Sequence, residues 1–215
     1  MSTTETVKVV LLGEAGVGKT CIISQFISGI FDPDTISSLS AQFITKTLDY
    51  KKYDKSLKFE IWDTAGQEKY RAINKIFYQD AYVNILVYDI TKKPTFDALK
   101  DYWYQEVKDN APQDALIIIV GNKRDLYEIE AVEEDVVKQF CESVNALYKQ
   151  TSAQTGEGVK ELFEMIGKQI LSSSLEDFKN NKGNSKSVKF KNDSVNIYSS
   201  VSTIDTNITK KKKCC

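Results

Sequence analysis

The apolar run Val7 to Leu12 ends at Gly13-Glu14-Ala15-Gly16-Val17-Gly18-Lys19-Thr20, and an amphipathic helical pattern begins near Gly18. Strand, glycine loop and helix start therefore follow one another. In this context the pattern G-x-x-x-x-G-K-[ST] wraps phosphate oxygens with backbone N–H groups, while its lysine reaches the terminal phosphates. Gly16 and Gly18 permit backbone conformations that a Cβ would block. The helix start adds unpaired N–H groups and the positive end of its dipole, and the Thr20 hydroxyl is placed to ligate Mg²⁺. Average composition gives such a pattern a chance probability on the order of 1 in 10⁴ to 10⁵ per position. The segment thus predicts a nucleotide phosphate site built from Gly13, Ala15, Gly16, Val17, Gly18, Lys19, Thr20 and Cys21.

The rest of the chain limits what such a site could do. With 215 residues, 41% hydrophobic and 27% charged, one well-buried domain plus a tail is expected. There is no histidine, which removes Ser-His-Asp, Cys-His and histidine–metal schemes together. Chemistry must run on carboxylates, lysine, amides, hydroxyls or an external metal. A net charge of −1 gives no global attraction to nucleic acid, so none is expected as a partner; basic residues crowd locally at Lys210 to Lys213. The four cysteines, Cys21, Cys141, Cys214 and Cys215, make no disulfide framework, which predicts a reducing compartment. No window approaches about 18 consecutive apolar residues, and Met1 to Thr6 lacks a basic region followed by an apolar core, so neither a membrane span nor a signal peptide is expected.

Short apolar runs recur at Val7 to Leu12, Phe43 to Leu48, Leu57 to Trp62, Val83 to Tyr88, Leu116 to Val120 and Leu147 to Thr151. Each has the length of a strand. Helical periodicity fills Lys19 to Ser28, Thr95 to Lys108, Glu133 to Val144 and Val159 to Leu171, whereas only Asp49 to Ser56 separates the second and third runs. Those two form a hairpin and the others βα units. The fold class is α/β: three layers, a six-stranded mostly parallel sheet with one antiparallel strand, and about five helices, with ligand loops at the carboxyl ends of the strands. After Leu171 the composition shifts to Ser, Asn, Lys and Thr without periodicity, which predicts a flexible tail. The expected divisions are a nucleotide-binding domain over 1–172, a tail over 173–209 and a polybasic end over 210–215.

Two further loops follow strands. Trp62 runs into Asp63-Thr64-Ala65-Gly66-Gln67, where a carboxylate can hold Mg²⁺ through water, a glycine N–H can approach phosphate and a glutamine can orient a water. Leu116 to Val120 runs into Gly121-Asn122-Lys123-Arg124-Asp125. A carboxylate there can accept two parallel bonds from the N1–H and exocyclic amino group of guanine, donors that adenine lacks at those positions. Asp125 therefore points to GTP over ATP, and sites built this way can discriminate by about 10⁴ to 10⁵. A third loop, Ser152-Ala153-Gln154, offers backbone N–H groups to the guanine carbonyl.

These loops, in this order, resemble those of a small GTPase of the Ras superfamily. Lys58-Phe59-Glu60-Ile61-Trp62, Lys69-Tyr70-Arg71-Ala72-Ile73-Asn74, Phe77-Tyr78-Gln79-Asp80-Ala81 and Leu86-Val87-Tyr88-Asp89-Ile90-Thr91 are similar to Rab signature segments, and Ile36 to Phe43 looks most like the endocytic group. The resemblance covers about residues 7 to 171. It implies that Lys19 contacts the β- and γ-phosphates, that Thr20, Ser38 and Asp63 serve Mg²⁺, and that Gly66 meets the γ-phosphate. It further implies that Gln67 positions the attacking water, that Phe31 packs against the base beside Asn122, Lys123 and Asp125, and that Phe43, Trp62 and Phe77 dock effectors. The implied partners are an exchange factor, a GTPase-activating protein, a GDP-dissociation inhibitor or escort protein, and effectors, around a monomeric GTPase.

Three positions depart from the family pattern. Ser38 stands 18 residues after Thr20 where threonine is usual; it keeps the hydroxyl and loses the β-branch that stiffens χ1. Ala15 places a methyl group near the γ-phosphate. The hairpin segment Asp49 to Ser56 is longer than usual. Ala15 and Ser38 together raise an alternative reading, a GTP-bound scaffold that recruits effectors to membranes and hydrolyses slowly or not at all. The terminal Cys214-Cys215 pair resembles a double geranylgeranylation signal, and with four lysines it meets the two-signal requirement for stable anchoring. The expected location is the cytoplasmic face of endomembranes on the endosomal route, with a cytosolic pool.

Overall fold

Ladder pairing, more than the length of each apolar run, decides where the strands begin. In the computed structural model, which describes residues 3–33, 42–64 and 76–180, strand β1 (Thr3–Leu12) starts ahead of its apolar run. Every residue from Thr3 to Leu11 has a register partner on β3 (Lys55–Asp63), so backbone hydrogen bonds extend the strand where side-chain hydrophobicity gives no sign of it. Glu5 and Lys55 form an ion pair across this polar extension. Strand β2 (Gln42–Tyr50) runs antiparallel to β3. A 3₁₀ turn (Lys51–Tyr53) closes the hairpin, with Asp54 left-handed at φ 49°. Part of the expected connector is therefore strand: Asp49 faces Ser56, whose hydroxyl donates to the Asp49 carboxylate at 2.7 Å.

Strands β4 (Val83–Asp89), β5 (Leu116–Asn122) and β6 (Leu147–Gln150) complete a sheet of order β2-β3-β1-β4-β5-β6. All neighbours except β2 and β3 are parallel, as the sequence predicts. The α-helices bounded within the described residues are α1 (Lys19–Ser28), α2 (Lys93–Ala98), α3 (Tyr104–Asn110), α4 (Glu134–Ser143) and α5 (Val159–Asn180). A π-helical turn (Leu99–Trp103) joins α2 to α3 without leaving helical backbone angles, so the one helix expected over this region carries an extra residue within it. Helix α5 continues to Asn180, past Leu171 where the apolar periodicity stops; the added residues include no proline or glycine to end it.

Alternation along β1 divides the core. Val9 and Leu11 face the layer of α1 and α5, while Val10 and Leu12 face the layer of the α2–α3 helix and α4. In the first layer Phe163 of α5 is fully buried; its ring stacks on Phe26 of α1 with centroids 3.6 Å apart and meets Phe59 of β3 edge-on at 6.0 Å. Its carbonyl accepts the Tyr50 hydroxyl at 3.1 Å, tying the hairpin to the same point. Replacing Phe163 by Ala is expected to lower stability by about 3–5 kcal/mol through lost burial and the cavity left behind. Urea unfolding of the GDP-bound protein checks this, as a fall in midpoint with unchanged slope.

Candidate active site

The parallel strands deliver their carboxyl ends to one edge of the sheet, and the predicted loops gather there. At the end of β1 the chain turns into α1 through Gly18, whose φ is 97° and where a Cβ would stand 2.3 Å from the Asn122 amide nitrogen. Gly16, at φ 74°, has open space around it, so its requirement is conformational and not steric. Lys19 folds back over the loop and donates to the carbonyls of Gly13 at 2.9 Å and Glu14 at 3.0 Å. It is only 5% exposed. Burial pulls its ammonium down to about 8, against the opposing influence of Asp63 and Glu14. A desolvated cation at the start of a helix is stabilised by a neighbouring anion, and phosphate is the anion this loop fits.

At the end of β3, Thr20 of α1 donates to the buried Asp63 carboxylate at 2.6 Å. Hydroxyl and carboxylate oxygens are the hard donors that Mg²⁺ requires, so this pair fits that ion. The next residue, Thr64, is buried and pins the exit of β3 to β1 by donating to the Leu11 carbonyl at 2.6 Å.

The loops that follow β5 and β6 are joined to the loop after β1 through Asn122. Its amide donates to the Val17 carbonyl at 2.8 Å, and its oxygen accepts from the Thr151 hydroxyl and the Ala153 N–H, both at 3.1 Å. The Ser152 hydroxyl donates to the Asp125 carboxylate, and Ser152 N–H donates to Glu157 O at 2.9 Å, so the third loop positions Asp125. Lys123 is left-handed at φ 70°, and its ammonium meets Asp89 at the end of β4 at 2.7 Å. Burial raises the Asp89 carboxyl, but the bonds from Lys123 and Thr91 outweigh it and hold the group below the usual carboxylate range. Phe31 is partly buried against the α1–α5 layer, Val17 is fully buried beneath the loop, and Cys21 is half-buried in the first turn of α1. Ala15 and Gln154 are exposed.

One contact lies beyond the sequence reading. Trp103, in the π-helical turn, donates its indole N–H to the Glu14 carboxylate of the phosphate loop at 3.0 Å. Residues 89 positions apart make this bond, and no local motif signals it. Ser38, Gly66, Gln67, Cys214 and Cys215 lie outside the described residues. Phe43 and Trp62 face each other across β2 and β3 with ring centroids 4.9 Å apart, and Trp62 lies 5.2 Å from Phe77. The three rings form one half-buried strip.

Residues 8–172 match the model of the Ras family. "Ras-related protein Rab-22A" of Mus musculus is 39% identical over 176 residues, covering 82% of this chain and 89% of that protein. "Ras-related protein Rab-31" of Rattus norvegicus is 38% identical over 188 residues, 87% of this chain and 93% of its own length. "Ras-related protein Rab-5B" of Plasmodium falciparum is 38% identical over 166 residues, 77% and 78% of the two chains. The chain belongs to the Ras family as a Rab-type small GTPase, which hydrolyses GTP to GDP and phosphate.

Asn122→Ala removes the joint between the loop after β1 and the loops after β5 and β6, and leaves the Val17 carbonyl, the Thr151 hydroxyl and the Ala153 N–H without this partner. GDP release is expected to quicken by about 10²-fold, read from displacement of a fluorescent GDP analogue.

Proposed function

We propose that this GTPase is a membrane-attached switch of the endocytic route, timed by its own slow hydrolysis. The observation that carries the reading is the meeting, at one sheet edge, of Lys19, the Thr20–Asp63 pair and the Asn122–Asp125 loops. Lys19 holds the β- and γ-phosphates, and Asp125 selects guanine. Thr20, Ser38 and Asp63 hold Mg²⁺, which when bound supplies neutralising charge to the phosphate oxygens. Gly66 offers its N–H to the γ-phosphate, and Gln67 orients the attacking water in line. The γ-phosphate is thereby sensed by two segments near 34–43 and 65–78, which end on the aromatic strip of Phe43, Trp62 and Phe77 where effectors dock.

Without an arginine supplied by a GTPase-activating protein, rates of roughly 10⁻⁴ to 10⁻² s⁻¹ are expected. An exchange factor reloads GTP, and an escort or GDP-dissociation inhibitor carries the prenylated form through the cytosol. Prenyl groups on Cys214 and Cys215, aided by Lys210 to Lys213, hold the protein on the membrane. The endocytic assignment is supported by Ile36 to Phe43.

Gln67→Leu is expected to slow single-turnover GTP hydrolysis by about tenfold or more with little change in GDP affinity. Equal rates would overturn the assigned role of Gln67. The Cys214→Ser/Cys215→Ser variant is expected to lose endosomal membranes and become wholly cytosolic under imaging; an unchanged distribution would refute the anchor.

A further inference from the structure

A cavity of about 460 Å³ lies between the tip of the β2–β3 hairpin and α5, at the end of β3 away from Asp63. Lys51, Lys52 and Tyr53 of the 3₁₀ turn form one wall, and Lys160, Glu164 and Lys168, stacked at successive turns of α5, form the other. Its lining carries four lysines and two carboxylates. One carboxylate, Asp49, already accepts the Ser56 hydroxyl. The other, Glu164, reaches Lys160 and Lys168 only at 3.6 and 3.7 Å, longer than a well-formed charge-assisted bond. Among the described residues no carboxylate pairs with Lys51 or Lys52. Lys46 is close enough for Lys160 to add to burial in lowering its ammonium.

The walls are held by packing. Tyr50 is buried beneath the turn with its hydroxyl on Phe163 O, and a Cβ on Gly167 would strike the Tyr50 hydroxyl at 2.0 Å, so α5 lies directly against that ring. Like charges gathered around a concavity repel one another, and an anion seated among them relieves that repulsion. The volume falls within the range of small-ligand pockets. Lysine, a compact charge without a planar fork, suits several separated phosphates better than one flat carboxylate.

We propose that this pocket binds a multiply phosphorylated anion, with Lys51, Lys52, Lys160 and Lys168 as its ligands. Two sources share that chemistry: a phosphorylated inositol headgroup in a bilayer, and a soluble polyphosphate. The test uses the full chain, unprenylated and loaded with GDP, with Lys210 to Lys213 changed to Gln so that the tail contributes no charge. Inositol trisphosphate and tripolyphosphate are titrated by calorimetry, and vesicles of phosphatidylcholine with a few per cent phosphatidylinositol bisphosphate are compared with vesicles of equal charge from phosphatidylserine.

Saturable binding at one site per chain is expected, weakened about tenfold or more by Lys51→Gln/Lys52→Gln and by Lys160→Gln/Lys168→Gln. Lys138→Gln, on α4, is expected to leave it unchanged, and all variants retain GDP. Preference for the phosphoinositide vesicles, competed by inositol trisphosphate, assigns the headgroup. Binding of tripolyphosphate with no vesicle preference assigns the soluble anion. Absence of saturable binding, or an equal loss in Lys138→Gln, overturns the proposal.

Discussion

The side-chain amide of Asn122 is the joint on which the site depends. It donates to the phosphate loop at Val17 and accepts from Thr151 and Ala153 beyond β6, so segments following three strands share one buried group. Leaving such a group unsatisfied costs about 1–3 kcal/mol for each buried partner. The fit is mutual, because Gly18 carries no Cβ to strike the amide and an aspartate in place of Asn122 would set an oxygen against the Val17 carbonyl. The arrangement needs β5 flanked by β4 and β6 in parallel, with Asp89 aligned to Asn122 and Gly121 to Gln150. The sheet thus acts through register.

Around that joint the protein holds charge that its own atoms leave incompletely compensated. Lys19 is buried with two carbonyls at its ammonium, and desolvation works against its charge despite Asp63 and Glu14 nearby. An anion beside that ammonium would relieve this, and a ligand bound only by the folded loop would stabilise the loop in turn. Glu14 joins the same region to the second core layer through Trp103, whose position follows from the π-helical turn. An extra residue in that helix therefore reaches the phosphate loop. The hairpin tip concentrates lysines in a comparable way, away from the nucleotide edge.

Loops whose chemistry is contiguous were legible from residue order: Gly13 to Thr20, Asp63 and Asn122 to Asp125 each follow an apolar run, and the structure places them where parallel strands end. The lone antiparallel pair was also legible, because Asp49 to Ser56 is too short for a crossover; the order of the strands in the sheet was not, since it depends on where each crossover packs. The polar start of β1 was not, since its stability comes from a ladder with β3. The π-helical turn and the Glu14–Trp103 bond were not, since neither alters the periodicity of the local sequence. The aromatic strip was legible as a set of residues; that Trp62 lies between Phe43 and Phe77 was not.

By itself the sequence determined which groups are available: a loop of the phosphate-binding pattern, carboxylates at Asp63 and Asp125 just after apolar runs, no histidine, and lysines followed by two cysteines. These are properties of residue type and short spacing, which the chain carries before it folds. Only the tertiary structure decided that Asn122 binds the loops together, that Ser152 orients Asp125, that Trp103 reaches Glu14, and that Lys51 and Lys52 share a cavity with Lys160 and Lys168. Each is a contact between segments distant along the chain, and such contacts are set by strand register and helix packing, which no local pattern encodes.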